Sequence, residues 1–348
     1  MLDTYKKLKD LLDARERRNA VLLFGMMLVM GVLEVFGVAS VMPFIAVVAN
    51  PEMVETNAYI NAVYSTFGFT STNTFLIFLG AGVFVLIIGS LAFKALTHWA
   101  MARFTHMRNY TLSTRLLRGY LGRPYSFFLN RHSADLGKSV LSEVQQVIKT
   151  ALMPALEFVA NLIVVLFLVA LVVAVNPLVA LTAVVLLGGA YGLIYAVLRR
   201  YITRIGAERV KANRARFQIA QEALGGIKDV KVLGLENGYL KSFSKPAQHF
   251  ARVQANKQII GEMPRFALQG LLFGGMLVLL LILLAVENGN LSAVLPLIAL
   301  YAFAGSRLMP ALQKVYASLA TFRFGKPALE ILYRDLVETE QAGAPTTD

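Results

Sequence analysis

Residues Gln221 to Phe243 read QEALGGIKDVKVLGLENGYLKSF, and the organisation of the chain follows from them. They lie in a basic, mostly polar segment, residues 199–263, between two runs that are apolar and long enough to cross a bilayer. A polar segment of that length between spans has a job outside the membrane. Its pattern predicts a helix continuing out of the bilayer and interrupted at Gly225-Gly226. A short amphipathic piece over Leu235 to Phe243 follows, closed by Lys245-Pro246. That is a lever with a foot at its far end.

The composition agrees. The chain has 348 residues, of which 57% are hydrophobic and only 16% charged, and its mean hydropathy is +0.60. These values place it among integral membrane proteins. The net charge of +13 would suggest nucleic acid in a soluble protein. Here the position of the basic residues matters more, and no nucleic-acid partner is expected. With no cysteine there is no disulfide framework and no thiol chemistry. The N-terminus shows no signal-peptide pattern.

In chain order, residues 1–19 carry Leu2, Tyr5, Leu8 and Leu12 at spacings of three and four among Lys and Arg, the pattern of an amphipathic helix on the membrane surface. The expected spans are residues 20–48, with a kink at Pro43, then 75–96, 151–175, 178–198, 266–286 and 291–309. Between the first two, residues 51–68 read as a short outer helix. Asn50 would cap it, and Gly68 would end it. Met53, Ile60, Val63, Tyr64 and Phe67 are placed on one face. The other outer connections are short, Asn176-Pro177 and Glu287 to Asn290, whereas residues 100–150 and 199–263 are long and polar. The whole is an all-α membrane protein of six spans with helical extensions on one side. Residues 20–336 form its body and residues 337–348 a polar tail or linker.

Charge orients it. The first 20 residues hold six Lys/Arg, residues 100–150 hold eight and residues 199–263 hold thirteen, while the outer connections hold none. By the positive-inside rule both termini and both long loops are cytoplasmic. At about 1.5 Å per helical residue, each loop reaches roughly 35 Å below the membrane.

The order Gln-Glu-Ala-Leu-x-Gly-Ile-x-x-Val-Lys-Val, then Gly-Leu-Glu and a Phe seven residues beyond that Glu, resembles the second intracellular loop of ABC exporter half-transporters. RPYSFFLNRHSADLGKSV, residues 123–140, resembles their first. The resemblance covers Met1 to about Leu336. It implies the ABC exporter transmembrane-domain fold and a homodimer whose protomers exchange two helices. It also implies two coupling helices gripped by an ATPase domain or subunit. Tyr125, Phe127 and Phe128 would serve the first contact as exposed aromatics, and Leu235, Glu236 and Phe243 the second. A bacterial inner membrane is the implied setting.

The chain carries no catalytic or metal site of its own. A phosphate-binding loop needs Gly-x-x-x-x-Gly-Lys-Ser/Thr, and no such string occurs. His98, His106, His132 and His249 make no His-Glu-x-x-His pattern. ATP and Mg are therefore expected on a partner ATPase, fused or separate, since the chain stops where such an exporter hands over to its nucleotide-binding domain.

Lys94, Arg265 and Arg307 lie roughly 28, 31 and 24 Å from the outer ends of their predicted spans, one cationic layer near the inner leaflet. No acidic residue stands within ten residues of Lys94 or Arg307 in the sequence. Two readings are open: side chains snorkelling to the phosphates, or ligands for an anionic headgroup. Glu34, midway along the first span, reads as a neutral or paired carboxyl against a neighbouring helix. With the outer helix, the layer makes the chain most similar to lipid-linked oligosaccharide flippases of the PglK type. That resemblance implies a polyprenyl-diphosphate glycan as substrate, with Met53, Ile60, Val63, Tyr64 and Phe67 on the lipid tail and the three cations on the diphosphate. An exporter of another lipid, a peptide or a drug is the alternative. An ATP-independent carrier or receptor has no use for such levers.

Overall fold

The computed structural model describes residues 13–343, apart from residue 70, residues 130–132 and positions scattered through 176–187 and 267–290. Every element in it is helical. Helix α1 (Ala14–Ala39) starts at Asp13, whose backbone N–H donates to the Glu16 carboxylate at 3.0 Å, half of a capping box. Residues 14–19, expected to end a separate surface helix, are instead the first turns of α1. The rest of that predicted helix lies outside the described residues. The chain bends at Ser40, and α2 (Val41–Ala49) holds Pro43 in its first turn, where no intrahelical hydrogen bond is lost.

Next come α3 (Met53–Thr56) and α4 (Ala58–Thr66), two short helices where one was expected. Asn57 makes the break by accepting the Tyr59 and Ile60 backbone N–H groups at 3.1 and 3.4 Å. Gly68, at φ 65°, closes α4. The 50-residue α5 (Thr72–Leu121) extends about 75 Å without interruption.

After α6 (Tyr125–Leu129) and α7 (Ser133–Lys138), one column climbs back. It contains α8 (Val144–Val147) and α9 (Met153–Val175), each preceded by a wide i→i+5 turn, Ser139–Glu143 and Ile148–Leu152. Helix α10 (Gly189–Gly225) descends, α11 (Ile227–Val232) forms the tip, and α12 (Glu236–Glu262) returns. The 53-residue α13 (Leu291–Gly343) runs on through the predicted boundary at 336.

Among the described residues, Ala14–Ala49, Thr72–Leu121 and Leu136–Val175 are long and apolar enough to cross a membrane. The predicted fourth and fifth spans and both short outer turns fall wholly or partly outside the described residues. The exposed faces of these helices are apolar, with Val21, Leu22, Ile77, Phe84, Val85 and Leu166 all at least 60% exposed. Lipid, not water, suits such a surface.

Helix α13 joins two cores. In the apolar half, Leu300, Ala304 and Leu308 meet Met27 and Met30 of α1, Met101 of α5 and Val164 and Leu168 of α9. In the polar half, Leu329, Leu332 and Leu336 meet Leu112 and Leu116 of α5 and Val144 and Val147 of α8. Truncating one of these leucines to Ala costs about 2–5 kcal/mol. Two neighbouring positions of α13 are clamped by backbone contact. A Cβ on Gly206 of α10 would fall 2.3 Å from the Phe324 carbonyl oxygen, and one on Gly325 would fall 2.3 Å from Thr150 Oγ1. Glycine is required at both crossings because the helix axes come too close for any side chain.

Candidate functional site

Ser90 and Lys94 are one turn apart on α5, so both point the same way, and α1 lies opposite them. The two helices are in close contact here, since a Cβ on Gly37 would sit 3.7 Å from Ser90 Cβ, an ordinary van der Waals distance. Glu34, one turn earlier on α1, is 1% exposed. Its Oε1 accepts from Lys94 Nζ at 2.5 Å, and Ser90 Oγ donates to its Oε2 at 3.1 Å. Arg307 of α13 completes the cluster, with Nη1 3.2 Å from Oε2. Three helices thus converge on one buried carboxylate, which needs such partners because an unpaired charge in the bundle is costly.

This divides the predicted layer. Lys94 and Arg307 share Glu34, whereas Arg265 is exposed and stands near Tyr191 of α10. The acid missing from nearby sequence comes from a distant helix, Glu34 lying 60 residues before Lys94. A second acid, Glu157 of α9, faces Lys314 Nζ at 3.5 Å and accepts from Ser318 Oγ at 3.4 Å. Burial pulls the Lys257 ammonium of α12 below its ordinary range, against the opposing fields of Glu262 and Glu157.

In the polar half the two levers are tied by charge. Glu143, in the first wide turn of the column, and Arg209 of α10 are 4% and 3% exposed and 3.4 Å apart. Asn213 Nδ2 donates to Glu143 Oε1 at 3.1 Å, and Arg216 Nη2 donates to Asn213 Oδ1 at 3.1 Å. The Arg209 guanidinium is held below its ordinary range because burial outweighs the attraction of Glu143.

At the tips of the levers the residues expected to make the coupling contacts differ in exposure. Tyr125 is 78% exposed, but Phe127 and Phe128 are half-buried. Phe127 packs on the polar-half core, 6.2 Å from the Tyr120 ring and edge-on to Phe128 at 5.3 Å. The open apolar positions are Leu121, Tyr125 and Leu129. In the second lever the chain breaks at Gly225-Gly226 as expected, but the short helix at the tip is α11, and Leu235 to Phe243 is not a separate piece: it leads into α12. Gly234, at φ 65°, ends α11 with Leu235 N–H donating to Val230 O at 3.0 Å, and α12 then runs continuously through Pro246. Ile227, Val232, Leu233, Leu235 and Leu240 are exposed around that tip. Phe243 is half-buried along α12, and Glu236 opens α12 with Lys231 Nζ 3.0 Å from its carboxylate. Two glycine breaks nine residues apart could have bracketed α11 from sequence.

At the opposite end, Ile60 and Tyr64 pack on Val47, Val54 and Phe75, and Met53 is half-buried. Val63 and Phe67 are exposed together with Tyr59, one ridge at i, i+4 and i+8. The Phe67 ring is 5.1 Å from Phe78, so the ridge continues onto the face of α5.

The family model described as the ABC transporter transmembrane region matches residues 19–302. Among solved structures, a bacterial Atm1-family ABC exporter with ATP bound shares the fold, with a TM-score of 0.65 at 14% identity. The match covers 94% of this chain and 54% of that one, so the chain spans about half the exporter's length. The long levers ending in apolar feet, the bundle of membrane-length helices and a family match over most of the sequence agree, and the chain belongs to the ABC transporter transmembrane region family.

Proposed function

We propose that this chain is the six-span membrane half of an ATP-driven exporter that works as a homodimer, and that it flips a polyprenyl-diphosphate-linked oligosaccharide. The observation that carries the substrate class is the pair Lys94 and Arg307, two cations meeting at one point inside the bundle. A diphosphate can use several charge-assisted donors at once, and arginine offers paired ones. Arg265, near Tyr191 of α10, would be the third cation for the headgroup. The ridge Tyr59, Val63 and Phe67 suits a lipid tail at the outer surface. Both termini and both levers would be cytoplasmic, in a bacterial inner membrane. Leu121, Tyr125 and Leu129, and α11, would dock on ATPase domains that bind ATP and Mg; no nucleotide chemistry falls to this chain's own residues.

The test is flipping of a lipid-diphosphate glycan in proteoliposomes by the protein assembled with its ATPase. Arg307→Ala should reduce headgroup affinity roughly ten- to a hundred-fold, and Arg307→Lys should recover only part of it. Wild-type flipping by Arg307→Ala would refute the substrate assignment. In the same assembly, cysteines at Glu236 and on the ATPase should cross-link between protomers if the fourth and fifth helices are exchanged. Glu34 supports one other reading, since it neutralises one of the two cations: an exporter of a less charged lipid, peptide or drug. Transport of a neutral amphiphile with no response to lipid diphosphate would establish that alternative.

A further inference from the structure

The acid at the centre of the cation cluster has no evident place in a site built for anions. Glu34 lies deeper than the cations it pairs with: its side chain is 1% exposed, against 39% for Lys94 and 17% for Arg307. The two cationic side chains, not the carboxylate, are the parts of the cluster open to an incoming anion. Both cations are turned toward Glu34, and Ser90 holds one of its oxygens in place at 3.1 Å. The carboxylate thus occupies the position at which an anionic headgroup would gain most from Lys94 and Arg307.

We propose that Glu34 is an internal competitor for the headgroup: it holds Lys94 and Arg307 while the site is empty, yields them to an incoming polyanion, and recaptures them when the headgroup leaves. This rests on the reading of Lys94 and Arg307 as headgroup ligands. Two consequences follow from electrostatics. A monoanion offers the cations no more than Glu34 already does, so it displaces the carboxylate poorly, whereas a diphosphate brings more charge and more acceptor oxygens. Release is also assisted, because the cations do not have to be left bare in a low-dielectric bundle when the headgroup departs. Glu34 then sets selectivity for highly charged headgroups without contributing attraction to them.

The cluster Glu34, Lys94 and Arg307 sums to a charge of +1. Glu34→Gln raises it to +2, Lys94→Gln lowers it to 0, and the double variant returns it to +1. The experiment titrates inorganic pyrophosphate and inorganic phosphate into the purified full-length protein and its variants by calorimetry, with thermal melting recorded for each. The expected order of pyrophosphate affinity is Glu34→Gln above wild type, the double variant near wild type, and Lys94→Gln weakest. Glu34→Gln should gain about tenfold or more, the scale of one charge-assisted contact. Phosphate should gain more than pyrophosphate, so that selectivity falls. A carboxylate that acts only through its charge would, once removed, tighten the more highly charged pyrophosphate more than phosphate, so the larger gain for phosphate is the mark of the competitor and the reverse order would refute it. Unchanged or weaker pyrophosphate binding in a folded Glu34→Gln protein, with loss in Lys94→Gln, would overturn the competitor and leave the headgroup site standing. Absence of binding in wild type and every variant would overturn both. Should Glu34→Gln alone fail to fold, the charge-balanced double variant against Lys94→Gln decides the same question: equal affinities would refute the proposal.

Discussion

The buried pair Glu143 and Arg209 makes a quantitative prediction. Glu143→Gln leaves the Arg209 guanidinium, 3% exposed, without its counter-charge. Breaking a buried pair in this way costs about 3–5 kcal/mol, because an uncompensated charge remains inside. Replacing both residues, Glu143→Leu with Arg209→Met, should behave differently. The contacts are long, 3.4 to 3.5 Å, and Arg209 Nε has no hydrogen-bond partner among the described residues. The depressed guanidinium says the same: burial takes more from the charged form than Glu143 returns. An apolar pair of similar volume should therefore be within about 1 kcal/mol of wild type, or more stable. Fluorescence-monitored thermal unfolding of the purified protein, ranked across wild type, single and double variants, provides the measurement. Glu143→Gln melting with wild type would show that the pair does not join the levers. A double variant as unstable as the single would refute the reasoning about burial, since the pair's attraction would then exceed its desolvation cost.

Other outcomes follow from particular contacts. Gly206→Ala should destabilise by about 1–3 kcal/mol, because its Cβ would press on the Phe324 backbone, while Gly89→Ala, with nothing within 4 Å, should melt as wild type does. Tyr125→Ala, Leu129→Ala and Val232→Ala should uncouple ATP turnover from transport at unchanged melting temperature, whereas Phe127→Ala should lower the melting temperature, since Phe127 packs inward. Glu236 is held below its ordinary value of 4.5, first by a hydrogen bond to its own backbone and then by Lys231. A depressed carboxylate contributes stability above its unfolded value and loses it as pH falls through the folded one, so hydrogen-exchange protection at the α11–α12 junction, relative to the intrinsic rate at each pH, should be the same at pH 7 and pH 5. Loosening between those values would contradict the assignment.

Much of the fold was readable because its causes are local. Membrane-length apolar runs, the break at Gly225-Gly226 and the end of the outer helix at Gly68 each follow from a few adjacent residues. The errors have local causes too. Pro246 looked like a stop, but α12 continues through it, since a helix buttressed by α10 and α13 tolerates one lost hydrogen bond. Asn57 looked like an interior residue of the outer helix, yet its side chain could compete for the backbone and recap the chain.

The candidate site was only half readable, for a physical reason. Sequence alone led to the expectation of a similar depth for Lys94, Arg265 and Arg307, because depth along a predicted span is a count of residues. It could not determine azimuth relative to helices far away in the chain. Only packing brought Lys94 and Arg307 to Glu34 and left Arg265 apart, and only packing turned Phe127 inward and Leu129 outward. Helical period and hydrophobicity belong to neighbouring residues and are written in order along the chain. Pairing of charges across α1, α5 and α13 depends on how α1 packs against α5 and where α13 is clamped by Gly206 and Gly325, and those are properties of the assembled bundle.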